Sequence, residues 1–200
     1  MTQITQDTLL FQEMVWEIKP DLVTEIGVAQ GGSINFSASL LALLESSELV
    51  TSPSMVDADI VIRETNRRQN ETHPMYKWVQ LVEGSSIDPL VISTVRTLAR
   101  DKKRVMVFLD SNHEHNHVLG ELRSYADLVT VGSILVVLDT GIELIDPTVI
   151  AANRPWGRGN SPLSALREFL HENPDFIVDN SYHDKARITS FPMGVIRGVR

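Results

Sequence analysis

Short unbroken apolar runs alternate along the chain with segments whose apolar positions recur every three or four residues. Leu9, Leu10, Met14, Val15 and Ile18 keep the helical interval, which predicts an amphipathic helix over residues 7–18, ended by Lys19-Pro20. Leu22–Ile26 predicts the first strand. Gly27, Gly31 and Gly32 then open a turn, and Ile34, Phe36, Leu40, Leu41, Leu43 and Leu44 predict a buried helix that stops near Ser46-Ser47. Short strands follow over 54–57 and 79–82, and between them residues 60–75, rich in Arg, Asn and Gln, suit a helix or an active-site loop rather than core. Residues 89–98 are helical in period, with Asp88 placed as the N-cap. Residues 104–110 and 132–139 carry continuous apolar runs, as strands covered on both faces do, with a helix from about 114 to 125 between them. Residues 141–162, with Asp146-Pro147 and Arg154-Pro155-Trp156-Gly157-Arg158-Gly159, are too broken by Pro and Gly for regular structure. A helix over 164–171 and strands over 176–178 and 187–197 complete the pattern, the last strand antiparallel.

Strand and helix in alternation imply an α/β fold, a mostly parallel doubly wound sheet whose ligands sit at the carboxyl ends of its strands. Glu25, Asp57, Asp110 and Asp139 each lie at the end of an apolar run, and Gly84-Ser85-Ser86 follows another. Five strand ends thus aim polar groups at one crevice. The turn Glu25-Ile26-Gly27-Val28-Ala29-Gln30-Gly31-Gly32-Ser33 departs from G-x-G-x-x-G, which counts against a dinucleotide fingerprint. It looks instead like the first motif of a class I S-adenosylmethionine (SAM)-dependent methyltransferase; the competing reading is a tight turn without a ligand. Asp57 can accept two hydrogen bonds from a ribose diol, with Asp59 the rival candidate, and Ser85 and Ser86 can approach an adenine. Asp110 and Asp139, expected on neighbouring strands, repel unless a cation relieves them, and such oxygen ligands suit Mg²⁺ or Ca²⁺; capping of the following segments is the alternative. Three histidines crowd after Asp110. Either Asp110, His113 and His117 build a zinc or iron site, with His113 and His117 on one helix face, or His113 is a general base, while His115 faces solvent.

Two hundred residues with 42% hydrophobic content suit one α/β domain. With 18 Lys and Arg against 26 Asp and Glu, the net charge of -8 argues against a nucleic-acid surface. There is no cysteine, so disulfides and thiolate chemistry are excluded. The N-terminus lacks the pattern of a signal peptide and no uncharged run is long enough for a membrane span, so the expected location is cytoplasmic.

The string from Leu109-Asp110-Ser111-Asn112-His113-Glu114-His115-Asn116-His117 through Glu121-Leu122, continued by Tyr125-Ala126-Asp127-Leu128-Val129 and Gly132-Ser133, resembles the cephalosporin hydroxylase family, which includes the rhamnosyl O-methyltransferases. Lys19-Pro20-Asp21, Glu83-Gly84-Ser85-Ser86, Arg154-Pro155-Trp156-Gly157-Arg158-Gly159-Asn160 and Thr189 to Arg197 are similar to further blocks of it, so the resemblance covers nearly the whole chain from Gln6 onward. It implies a Rossmann-like class I methyltransferase fold that binds SAM, a Mg²⁺ that holds the acceptor hydroxyls, and oligomers in several members. By position it implies that Glu25, Gly27, Gly31 and Ser33 line the methionine end, Asp57 the ribose, and Ser85 and Ser86 the adenine. Asp110, beside the cofactor, and Asp139 are then metal ligands and His113 the base. The chain departs from the pattern at Leu138-Asp139, where metal-binding relatives often carry an acidic pair. The expected activity is O-methylation of a sugar or polyol-like small molecule, with residues 141–162 as a lid over the acceptor. A non-catalytic SAM-binding relative and a nicotinamide-dependent oxidoreductase are the alternatives.

Overall fold

The computed structural model describes residues 4–27, 29–59, 64–150 and 153–200. Seven strands form one sheet: β1 (Leu22–Ile26), β2 (Ser54–Asp59), β3 (Val79–Glu83), β4 (Val105–Leu109), β5 (Ile134–Val137), β6 (Phe176–Val178) and β7 (Val195–Gly198). Their order is β3-β2-β1-β4-β5-β7-β6. The β1–β2, β2–β3, β1–β4 and β4–β5 pairings are parallel, and β7 pairs antiparallel with both β5 and β6. The order reverses between β1 and β4, the point at which an open α/β sheet leaves a crevice beyond its strand ends.

Alternation along each strand divides the core in two. Val23, Met55, Met106, Phe108, Ile134 and Val136 face α1 (Thr5–Ile18) and α2 (Gly32–Ser46). Leu22, Ile26, Val56, Val107, Leu135 and Val137 face the opposite layer, where α4 (Pro89–Ala99), α5 (His115–Tyr125) and α6 (Pro162–Glu172) pack. Helix α1 buries Leu10, Phe11, Met14, Val15 and Ile18 and closes where Lys19, at φ 52°, returns its N–H to the Val15 carbonyl. Leu9, counted with that apolar stripe by its spacing, is exposed. The polar stretch after β2 contains α3 (Glu64–Glu71), and Asp88 caps α4 by accepting from Leu90 N–H at 2.8 Å.

The expected strand over 187–197 shrinks to Val195–Gly198. Ser190 N–H is drawn to Asp7 on α1 at 2.9 Å and Pro192 has no N–H to give a ladder, so the segment before it stays irregular. A short helix, α7 (Ser181–Lys185), precedes that segment and has no counterpart in the sequence pattern. Among the described residues no helix is long and apolar enough to cross a membrane.

Candidate active site

The strand tips are brought together by the backbone at Gly27. Its N–H donates to the Ala58 carbonyl at 3.0 Å, while Asp110 N–H donates to the Ile26 carbonyl at 2.8 Å. A Cβ at Gly27 would lie 2.5 Å from the Asp110 carbonyl oxygen, and its φ is +126°, so only glycine lets β1 and β4 end this close together. Gly31, at φ +77°, leads into α2, and a Cβ there would stand 2.2 Å from the Asn70 carboxamide. Helix α3 therefore seats directly on the turn. Asn66 donates to the Ala29 carbonyl at 2.7 Å, Asn70 accepts from Asn35 at 2.8 Å, and Ala29 N–H reaches Asp59 at 3.2 Å. Asn66 and Asn70 escaped the sequence reading; their signal was an Asn pair at helical i,i+4 spacing in an otherwise charged segment.

Glu25 and Asp57 stand opposite each other in register on β1 and β2, both buried. Burial raises the Glu25 carboxyl to about 7, against the pull of the Ser33 hydroxyl. Asp57 is pushed well above the usual carboxylate range by burial and by the neighbouring charges of Glu25, Asp59 and Asp110, with the Gly27 N–H opposing, and neither of its oxygens has a partner at hydrogen-bonding geometry. Strand β2 runs two residues past the expected end at Asp57, so Asp59 occupies the tip. Asp59, Ser85, Ser86, Ser111, Asn112 and His117 line a hollow of about 90 Å³ that opens to solvent. Of the two ribose candidates, Asp59 faces this space and Asp57 lies beneath it.

Helix α5 starts at His115, after Asn112 has accepted the Glu114 N–H at 2.8 Å, so His113 sits in the preceding loop and shares no helix face with His117. His113 Nε2 lies 3.4 Å from Asp139 Oδ2, two residues past the end of β5. Its ring meets Trp156 edge-on at 5.5 Å, and Arg154 covers Trp156 at 5.4 Å. Burial lowers the proton affinity of His113; Asp139 and Glu121 oppose this and Arg154 adds to it. Asp139 shifts the other way, raised by burial and by Asp7, with His113 and the Ser190 hydroxyl holding it down. His117 turns toward Ser86 Oγ at 3.0 Å and Glu121 Oε1 at 3.2 Å. The zinc or iron site of Asp110, His113 and His117 is therefore not assembled: no group of three or more His, Asp or Glu among the described residues is placed to hold a metal ion. His115 is not a solvent-facing residue either. It binds Ser164 Oγ at 2.8 Å and Glu168 at 3.1 Å, fastening α5 to α6.

This arrangement can be set beside known proteins. The family model described as Rhamnosyl O-methyltransferase/CmcI matches residues 1–199. The chain belongs to that family. Its class is that of a methyltransferase. The rhamnosyl O-methyltransferase of Mycobacterium tuberculosis (strain ATCC 25618 / H37Rv) is 29% identical over 188 residues, which cover 93% of this chain and 70% of the relative. That of Mycobacterium leprae (strain TN) is 28% identical over 66% of this chain and 54% of its own length. In fold, the chain is similar to a CmcI structure described with Mg and SAM, at TM-score 0.67 and 16% identity over 100% of this chain and 74% of that one. It also matches an O-methyltransferase from Bacillus cereus in complex with SAH, at TM-score 0.59 and 18% identity over 88% and 73%.

Within this Rhamnosyl O-methyltransferase/CmcI member the donor set for a divalent cation is lean. Asp110 follows β4 directly and Asp139 lies two residues past the adjacent strand β5, and Mg²⁺ is commonly held by one or two carboxylates completed by water and substrate oxygens. Leu138 is buried in the apolar core, so it leaves that position without a third carboxylate. The residues fit a cation shared with a substrate, not a cage made by protein alone. Past β5, residues 140–150 and 153–160 are tied to α5 and α6: Glu143 accepts from Gly159 N–H at 2.9 Å and Ser161 Oγ at 2.6 Å, and Asn160 accepts His115 N–H at 2.8 Å. Trp156 is half-buried against His113 in this segment, of which residues 151 and 152 lie outside the described residues.

Proposed function

We propose that the chain transfers the sulfonium methyl of SAM to a hydroxyl of a sugar-containing or polyol-like small molecule. The observation that carries this reading is the His113–Asp139 pair at 3.4 Å beside a glycine turn and a polar hollow, in a member of a methyltransferase family. The cofactor would lie across the strand tips, its amino-acid end over Gly27 and Gly31 near Glu25 and Ser33. Its ribose would meet Asp59 above Asp57, and its adenine Ser85 and Ser86, with Asp110 beneath the sulfonium.

The acceptor oxygen attacks the methyl carbon in line with sulfur; the new O–C bond forms as the C–S bond breaks and S-adenosylhomocysteine leaves neutral. Holding the three atoms in line supplies most of the acceleration. With His113 Nε2 turned to Asp139, Nδ1 is the nitrogen left to take the hydroxyl proton, and Asp139 holds the imidazolium that results. Burial lowers the proton affinity of His113, which favours the neutral ring that a base requires. Asp110 and Asp139 would hold Mg²⁺, whose charge lowers the cost of forming the alkoxide. Arg154 and Trp156, packed beside His113, would help to enclose the acceptor.

The test is release of S-adenosylhomocysteine from SAM with a panel of rhamnose-containing and other glycosides, with and without Mg²⁺, beside a titration with NAD. Turnover on a glycoside supports the reading. Tight SAM binding with no turnover on any acceptor would favour the non-catalytic alternative, and NAD binding in place of SAM would overturn both.

A further inference from the structure

Helix α5 carries a second ionisable pair that the methyl-transfer chemistry does not use. Glu121 is fully buried, yet its oxygen Oε1 gathers three groups: the Ser86 hydroxyl at 2.5 Å, the Ser111 hydroxyl, and His117 Nε2 at 3.2 Å. Its other oxygen, Oε2, is buried without a partner. Ser86 is locked further, because its carbonyl accepts from the Tyr125 hydroxyl at 2.5 Å. A carboxylate sunk this deep is tolerable only with charged or strongly donating neighbours, and His117 is the cationic group within reach. Three members of this cluster, Ser86, Ser111 and His117, are also walls of the hollow. Glu121 thus stands behind the wall and fixes the position of the groups in front.

We propose that His117, clamped by Glu121 and Ser86, is a specificity-determining donor that reads the purine ring of the cofactor. The proposal rests on the placement of the adenosine part of SAM in this hollow and goes on to name the residue that recognises its base. With Nε2 held by Glu121, the ring presents Nδ1 to a ligand, and a doubly protonated imidazole offers an N–H there to an endocyclic purine nitrogen. Glu121 acts through His117 and is a positioning residue. The hydrogen bond that the His117 ring donates to Glu121 raises its proton affinity, with the Glu121 and Glu114 charges adding to it and burial opposing. The other charged group lining the hollow is Asp59 on β2. Binding that needs the protonated ring is present at low pH and is lost as pH rises through the raised His117 value. Glu121→Gln, which keeps the shape but removes the charge, lowers that value and moves the loss to lower pH.

The experiment is calorimetric titration of S-adenosylhomocysteine, with free adenosine as a second probe, across pH 5.5–8.5 into the wild type, His117→Ala, His117→Asn and Glu121→Gln. The expected result is at least tenfold weaker binding of both ligands to the His117 variants at low pH, with the pH dependence abolished, and a loss of affinity at lower pH in Glu121→Gln. Wild-type affinity and an unchanged pH profile in the His117 variants would overturn the proposal. So would equal weakening at every pH with the profile intact, since that marks a structural role alone. If the wild type binds neither ligand, it is the methyltransferase reading of the site that falls.

Discussion

At His113 and Glu25 burial does opposite things to opposite charges. It disfavours the imidazolium at His113, which keeps a base available near neutrality, and disfavours the carboxylate at Glu25, which holds a proton to about pH 7. His113→Ala is expected to lower turnover by about 10²–10⁴-fold, the usual contribution of a general base, while the affinity for S-adenosylhomocysteine stays within about twofold. Unchanged turnover would remove the base assignment. Glu25 makes a separate prediction for stability. Between its ordinary value of 4.5 and about 7 the folded chain keeps a proton that the unfolded chain releases, so stability is highest below that window and declines as pH rises through it. The slope from one such group reaches about 1.4 kcal/mol per pH unit, and Asp57 opposite adds in the same direction. Urea unfolding of Glu25→Gln at pH 5 and pH 8 is expected to show a smaller decline than the wild type. Parallel slopes would mean that Glu25 is ionised in the folded state.

The elements that shape the cofactor side are the glycine turn and α3, which lies on it. Because the Asn70 carboxamide occupies the space of a Gly31 Cβ, turn and helix are tightly coupled. Gly31→Ala is expected to abolish measurable binding of S-adenosylhomocysteine, and a second change, Asn70→Ala, to recover part of it, with φ strain accounting for the remainder. Independent effects of the two changes would show that the contact does not govern the turn. Asn66→Ala removes a single hydrogen bond to the Ala29 carbonyl and is expected to weaken cofactor binding by roughly 1 kcal/mol, about fivefold, in the same titration. Helix α5 shows a related division of labour. The backbone places His113 before its first turn, so the three histidines diverge to Asp139, to α6 through His115, and to Glu121 through His117.

For the whole molecule, α1 joins the start of the chain to its end. Its Met14 and Val15 are wholly buried against the sheet, and its Asp7 accepts from Ser190 N–H and Oγ, within electrostatic reach of Asp139. Met14→Ala is expected to cost about 2–5 kcal/mol in urea unfolding, as truncation of a large core side chain does; a loss below 1 kcal/mol would mean that α1 is only loosely docked. Much of this architecture was legible in the sequence. The periodicities located β1, β4, β5 and the helices α1, α2, α4, α5 and α6, and the glycine turn and the blocks around Asp110 and Arg154 pointed to the family. The end of β2, the irregular stretch before β7, the partner of each histidine and the tie from Asp7 to Ser190 were not legible. An apolar period reports whether a position faces core or water, which is a local property that neighbours in the chain share. A buried polar side chain instead takes its partner from whatever the folded sheet brings alongside, so tertiary structure alone decided that Asp59 faces the hollow and that His113 pairs with Asp139.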